Sequence, residues 1–333
     1  MSTEPSDVII RKARPEDYDD LMEMGDVYGG KDYLICHYHS YFDDPAIYPL
    51  VAEIDGKAVG YYMNHIIDNG RTLIKRAGRV HPKYRGKGTF HLLSEALDKY
   101  RKEFFPGVGY EVFGTTNRAD RAAKEFKDKG FVELIRKRIL NMTVRLNELQ
   151  GLDNQVPTVT KMTYDDIRLL FANDEAVNRL IPQRVLFNWF LGYRIVESNI
   201  KYIHDDNAFV LASTSSTSSQ PVPVEDQHLH NFTPEAINQI DILSCAHKHV
   251  GVLGLSYQID IYTADGFDKS MIKAHLIKHY NDFSNSTKED GVTMVSFNSN
   301  VNEELVIASL KELGIVDFIP GMESHKIFYE RKL

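Results

Sequence analysis

Arg85-Gly86-Lys87-Gly88 carries the chemistry most open to reading in this sequence. It lies in "RVHPKYRGKGTFHLL" (79–93), after a strand-like run ending at Val80 and before a helix-like run opening at Thr89. A helix N-terminus presents unpaired N–H groups and partial positive charge. Glycine lets backbone approach a ligand closely, and such termini bind phosphate. Arg85 and Lys87 add positive charge. No G-x-x-x-x-G-K-[ST] loop occurs, so hydrolysis of nucleoside triphosphates is not supported, and no G-x-G-x-x-G opens a βαβ unit. On residues alone, a phosphate site and a solvated basic turn both stand. His247 and His249 are two apart and would share a face of a strand; a solvated strand edge is favoured over a metal pair. With no CxxC or HxxxH-type cluster recognised, no metal is expected.

The elements that must position this loop can be read around it. "DVIIRKA" (7–13) reads as a strand, and 14–30 as a helix with Pro15 in its first turn. "YPLVAEI" (48–54), Asp55-Gly56 and "KAVGYYMNHII" (57–67) make a β-hairpin. Asn69-Gly70 leads into a third strand, 71–80. A helix from Thr89 to Phe104, a strand at 110–116, a helix at 118–130 ending in Gly130 and one or two strands through 131–146 complete the first half. The second half partly repeats it. Residues 294–319 share the layout of 110–135, and "KHVG" (248–251) echoes "KAVG" (57–60). From that VG pair to the next helix takes about 28 residues in the first half and about 17 in the second. The expectation is a duplicated domain whose second copy lost one strand and the phosphate loop.

The chain has 333 residues, enough for two domains, set here at 6–146 and 157–333 with a flexible insertion near 213–230. Apolar content of 43% and charged content of 26% are those of a globular protein. A net charge of −8 argues against a general nucleic-acid binder. Two distant cysteines fit a reducing compartment. No signal-like segment and no run of about 18 apolar residues occurs. A cytoplasmic protein without a membrane partner is expected.

The order β-α-α-β-β-β-(RGKG)-α-β-α-β resembles the GCN5-related N-acetyltransferase (GNAT) family over about residues 7–145. That resemblance implies an α+β fold, with a mixed, mostly antiparallel sheet and flanking helices. Together with the internal repeat, it implies tandem GNAT-like domains, the second degenerate. The family signature is Arg or Gln, two residues, Gly, one residue, then Gly or Ala. Arg85 and Gly88 match; Phe90 departs from it. "RVHP" resembles the family's lead-in, Asn117 an Asn after the fifth strand, and Gly130-Phe131 the pair after the fourth helix. Within the family, "EDYDDLMEMGDVYGGKDYL" (16–34), "GRVHP" (78–82) and "RGKG" resemble the histidine N-acetyltransferase group.

The resemblance implies acetyl-CoA as cosubstrate, held by Gly78, Arg79, Val80, Arg85, Gly86, Lys87, Gly88, Thr89 and Asn117. Gly78 is expected at a bulge that parts the fourth strand from the fifth. An N–H near Arg79 or Val80 would serve the oxyanion. Phe126 occupies the position where the family often carries a tyrosine acid. Glu111 and His65 are candidate bases, with His81 more suited to solvent or phosphate. Tyr28, Tyr33 and Asp32 would cap the acceptor, and Arg76 would pair with a free amino acid's carboxylate. The implied reaction is acetylation of the α-amine of a free amino acid, L-histidine first. Acetylation of protein N-termini or lysines, and a non-catalytic acyl-CoA-binding scaffold, are the alternatives.

Overall fold

The structure, a computed structural model, describes residues 8–25, 29–152, 159–214 and 231–333. Tyr28 and most of the insertion expected near 213–230 lie outside them. In chain order the elements are β1 (Ile9–Lys12), α1 (Tyr18–Glu23), α2 (Leu34–His37), β2 (Ile47–Ile54), β3 (Lys57–Ile67), β4 (Thr72–Val80), α3 (Thr89–Phe104), β5 (Tyr110–Thr116), α4 (Ala123–Asp128) and β6 (Val132–Val144). The second half continues with β7 (Val159–Lys161), α5 (Tyr164–Phe171), α6 (Asp174–Leu180), β8 (Val185–Asn188), β9 (Leu191–Arg194), β10 (Ala208–Thr214), α7 (Pro234–Ile237), β11 (Ile240–Gly251), β12 (Gly254–Thr263), α8 (Ser270–Ser286), β13 (Gly291–Phe297), α9 (Glu303–Glu312) and β14 (His325–Lys332).

Among the described residues, twelve strands form one sheet in the order β1-β2-β3-β4-β5-β14-β6-β13-β12-β11-β10-β7. All its ladders are antiparallel except β4 with β5 and β12 with β13. Read inward from β1 and from β7, the two halves run alike. Each is completed by a strand from the other. β14 pairs with β5, and β6 pairs with β13. The two exchanged strands then pair with each other and join the halves.

Local chemistry explains the elements that frame the loop. Asp55 and Gly56 take left-handed conformations, φ 52° and 79°, giving the turn that suits strand twist. The helix expected over 14–30 is shorter, because Gly25 at φ 79° follows the last turn of α1 and ends it. On one face of the first half, Leu93 and Leu97 of α3 pack on Leu50, Ala52 and Val59. On the other, Leu21, Leu34 and Tyr38 pack on Tyr61 and Met63.

β4 carries the decisive irregularity. Its pairing with β3 jumps from Tyr61–Arg79 to Met63–Arg76, so β4 holds one extra residue. Ala77, beside the glycine where the bulge was expected, sits at φ 60°. β4 and β5 pair only over Thr72–Ile74 and Tyr110–Val112, and then diverge. Their counterparts do not: β12 and β13 stay paired from Leu255–Gly291 to Ile261–Phe297.

This corrects the expectation that the second copy lacks a strand. "KAVG" opens β3 whereas "KHVG" closes β11, so the two are not equivalent. β12 stands where β4 does; what differs is the unparted ladder and the link 264–269, "ADGFDK". A fragment ending at Leu146 lacks β14 and leaves β5 and β6 without their common partner. Such a fragment is expected to show no cooperative unfolding transition in denaturant; a sharp transition would contradict the interdependence of the halves.

Candidate active site

The divergence of β4 and β5 opens a slot of about 440 Å³. Lys75 to Gly78 line one side, Phe113 to Thr116 the other, with Tyr62 and Phe90 on the α3 face. A side chain at Gly78 could not fit, since its Cβ would lie 2.7 Å from the Phe90 ring and 3.0 Å from Tyr62. Phe90 and Tyr62 pack with centroids 4.7 Å apart. The residue that breaks the Gly/Ala pattern therefore walls the slot, and Gly78 is the space it needs.

At the α3 end, Gly86 and Gly88 sit at φ 74° and 82°, and a Cβ on either would meet nothing within 4 Å. Their glycine character is conformational. No side chain caps α3, so its first N–H groups face outward beside exposed Arg85 and Lys87. Arg85 Nε donates to the Val80 carbonyl (2.9 Å), and buried Thr89 donates its hydroxyl to the Tyr84 carbonyl (3.4 Å). This uncapped, basic terminus at the mouth of a slot suits a diphosphate with a long thin arm.

On the opposite face the second half closes the slot. The β8–β9 turn presents Trp189 and Phe190, with Trp189 at φ 58°. Any Cβ at Gly114 would collide with the Phe190 carbonyl, so the turn rests directly on β5. Behind it is a second cavity of about 190 Å³. Tyr33, Arg76, Trp189 and Leu191 line both spaces.

Arg76 stands at their junction. Its Nη2 donates to the Tyr41 hydroxyl (3.1 Å), and its guanidinium lies 5.0 and 5.3 Å from the Tyr33 and Tyr41 ring centroids. Its Nε is buried without a partner, and no carboxylate of the described residues forms an ion pair with it. Nε1 of Trp189, Nε2 of His37, both ring nitrogens of His65 and Nδ1 of His247 are buried and unpartnered too. Burial, with the Arg76 charge behind it, pushes the His37 and His65 imidazoles below their ordinary range.

Residues 16–131 match the acetyltransferase (GNAT) family model. These residues form a GNAT acetyltransferase domain. The chain is 26% identical to a histidine N-acetyltransferase of Oreochromis niloticus, over 64% of this chain and 70% of that protein. It is 27% identical to one of Scomber australasicus over the same shares. A tandem GNAT protein from the clavulanic acid biosynthesis pathway superposes at a TM-score of 0.53 with 12% identity, covering 98% of each chain; it shares the fold. Acetyl-CoA is the family's cosubstrate.

The sequence-read residues fall into distinct places. Gly78, Tyr33 and Arg76 meet around the slot, and His65 lines the adjoining cavity. Arg79 is buried and binds Asp32 through both terminal nitrogens (2.5 and 3.1 Å), fixing the segment that carries Tyr33. Glu111 lines neither space; Arg331 (2.6 Å) and Lys75 (3.4 Å) hold its carboxylate. Asn117 Oδ1 accepts from the Ser324 and His325 N–H groups (3.0 and 3.1 Å), anchoring the entry to β14. His81 accepts from the Lys83 N–H within the loop. Phe126 joins an aromatic cluster with Phe113, Phe131 and Tyr329, and the Tyr329 hydroxyl is turned to Glu133 (3.4 Å).

His247 and His249 share a face as read, but they are not a solvated edge. Trp189 and His37 cover them, and His249 Nε2 donates to the Lys31 carbonyl (3.1 Å). The sequence reading also passed over His275 and His279, which have HxxxH spacing on α8. Both rings bind the hydroxyl of Ser244 (2.6 and 2.7 Å) in the core, and among the described residues no cluster could hold a metal ion. Trp189 and His37 were missed. The lone tryptophan, between two four-residue β-rich runs, was the available signal.

Replacing Arg85 and Lys87 together by Ala is expected to weaken acetyl-CoA binding about tenfold or more, measured by titration calorimetry. Unchanged affinity would move the diphosphate elsewhere.

Proposed function

We propose that this enzyme acetylates the α-amine of a free amino acid, with L-histidine, named for its relatives, as first candidate. Arg76 carries the reading. An enclosed guanidinium without a carboxylate is poorly compensated, and a bound amino acid's carboxylate would supply the missing partner at the junction of slot and cavity. Trp189 Nε1 is a second donor on the same wall. The cavity, about 190 Å³, equals roughly six water volumes. It suits one small molecule better than a threaded peptide.

Placement supports the other roles. The uncapped start of α3, with Arg85, Lys87 and the two glycines, would hold the diphosphate of acetyl-CoA, which supplies the acetyl thioester. The slot beside Gly78 and Phe90 would take its pantetheine arm. Val80 is favoured over Arg79 for the oxyanion. The His81 N–H bonds across to Val59 on β3, and successive strand residues point their backbone groups to opposite edges. The N–H of Val80 therefore faces the parted edge, as does its carbonyl, which Arg85 holds.

With Glu111 engaged by two cations, His65 is the available base. On β3 it pairs with Ile74 of β4, one step along the same face from the Met63–Arg76 pair. Burial lowers its basicity and leaves the ring unprotonated, so it would pass on the proton of the acceptor ammonium, directly or through water, rather than hold it. The amine nitrogen then bonds to the thioester carbon as the C–S bond breaks. A thiolate of pKa about 8.5 can leave without a side-chain acid, which accommodates Phe126.

The test is thiol release from acetyl-CoA across the twenty free amino acids and several peptides. Free amino acids, histidine foremost, are expected to support release and peptides are not. Arg76→Leu is expected to raise the acceptor KM about 30-fold or more, the loss of a buried charge pair, while leaving the KM for acetyl-CoA in place. No release with any acceptor, or an acceptor KM untouched by the substitution, would overturn the proposal.

A further inference from the structure

The acceptor cavity is lined by two chemically different sets of polar groups. At the slot, Arg76 and Trp189 can only donate hydrogen bonds. Beside them, His37 from α2 and His247 from β11 bring one imidazole from each half of the chain, with ring centroids 5.9 Å apart and the His247 ring 6.4 Å from that of Trp189. Nε2 of His37 and Nδ1 of His247 are buried without partners, and both residues line the cavity. Neutral imidazoles offer each open nitrogen as donor or acceptor according to tautomer. Tyr193 and Tyr202, stacked at 5.0 Å, form an adjoining wall, and Asp44 and Asp205 stand among the lining residues.

We propose that His37 and His247 form the subsite for the acceptor's side chain and select one that is flat, neutral and able both to give and to take a hydrogen bond, an imidazole or a carboxamide. This rests on the amino-acid reading above. An aliphatic or benzyl side chain would leave two buried ring nitrogens without partners, the situation in which a polar site rejects an apolar analogue most strongly. A second fixed cation would share the cavity with Arg76. Burial and the charge of Arg76 hold both imidazoles below their ordinary range, and His249 adds to the effect at His247. Asp205 opposes it at His37. The pair is thus set to exchange hydrogen bonds rather than to attract a carboxylate.

The experiment compares kcat/KM for histidine, glutamine, leucine and phenylalanine in the full-length enzyme, its His37→Leu and His247→Leu variants, and His247→Gln. The wild type is expected to prefer histidine or glutamine over leucine and phenylalanine by about tenfold or more. Whichever polar acceptor leads tells imidazole from carboxamide. Each leucine variant is expected to cut that preference about tenfold, and His247→Gln to retain most of it. A wild type that favours leucine or phenylalanine overturns the subsite outright, even if a variant fails to fold. So does a preference unchanged in both folded leucine variants. In either case a persisting dependence on Arg76 leaves the amino-acid reading standing, whereas loss of that dependence removes the reading itself.

Discussion

The pairing of β6 with β14 is the contact on which the rest depends. Each strand leaves its own half, completes the other, and then bonds to its exchanged counterpart. Two sheets thereby become one, with the second half held in register against the first. Only in that register does the Trp189-Phe190 turn rest on Gly114 and close the slot. The second cavity is a consequence, with Arg76 and His65 from one half and Trp189, Tyr193 and His247 from the other.

Two copies of one design have been put to different uses through the β ladder between their parallel strands. In the first half, one extra residue in β4 ends the ladder after Ile74 and leaves a slot. In the second, β12 and β13 remain zipped, and the space that would be a slot is closed by their hydrogen bonds. The second half contributes surface, the hairpin tip and the imidazoles, and its own parallel pair provides rigidity.

What could be read in the sequence was local. Asp55-Gly56 specifies its hairpin through the φ angles it permits, and R-G-K-G between strand and helix specifies an uncapped basic terminus. Gly78 marked the bulge to within one residue. What escaped depends on distant pairing. Asn117 resembles a cofactor residue until β14 arrives to take its oxygen, and Glu111 a free base until Arg331 reaches it from the last strand. The "KHVG" echo misled because two similar tetrapeptides sit at opposite ends of their strands. His247 looked solvated because nothing local reveals that Trp189 and His37 cover it.

The central claim is that the guanidinium of Arg76, enclosed by Tyr33 and Tyr41 without an ion-pair partner, is completed by the acceptor's carboxylate. The most direct measurement compares histidine with histidinamide, which keeps the amine and imidazole and neutralises the carboxylate. The account predicts that kcat/KM falls about 30-fold or more with the amide, the KM for acetyl-CoA remaining the same. Equal turnover of the two would contradict it.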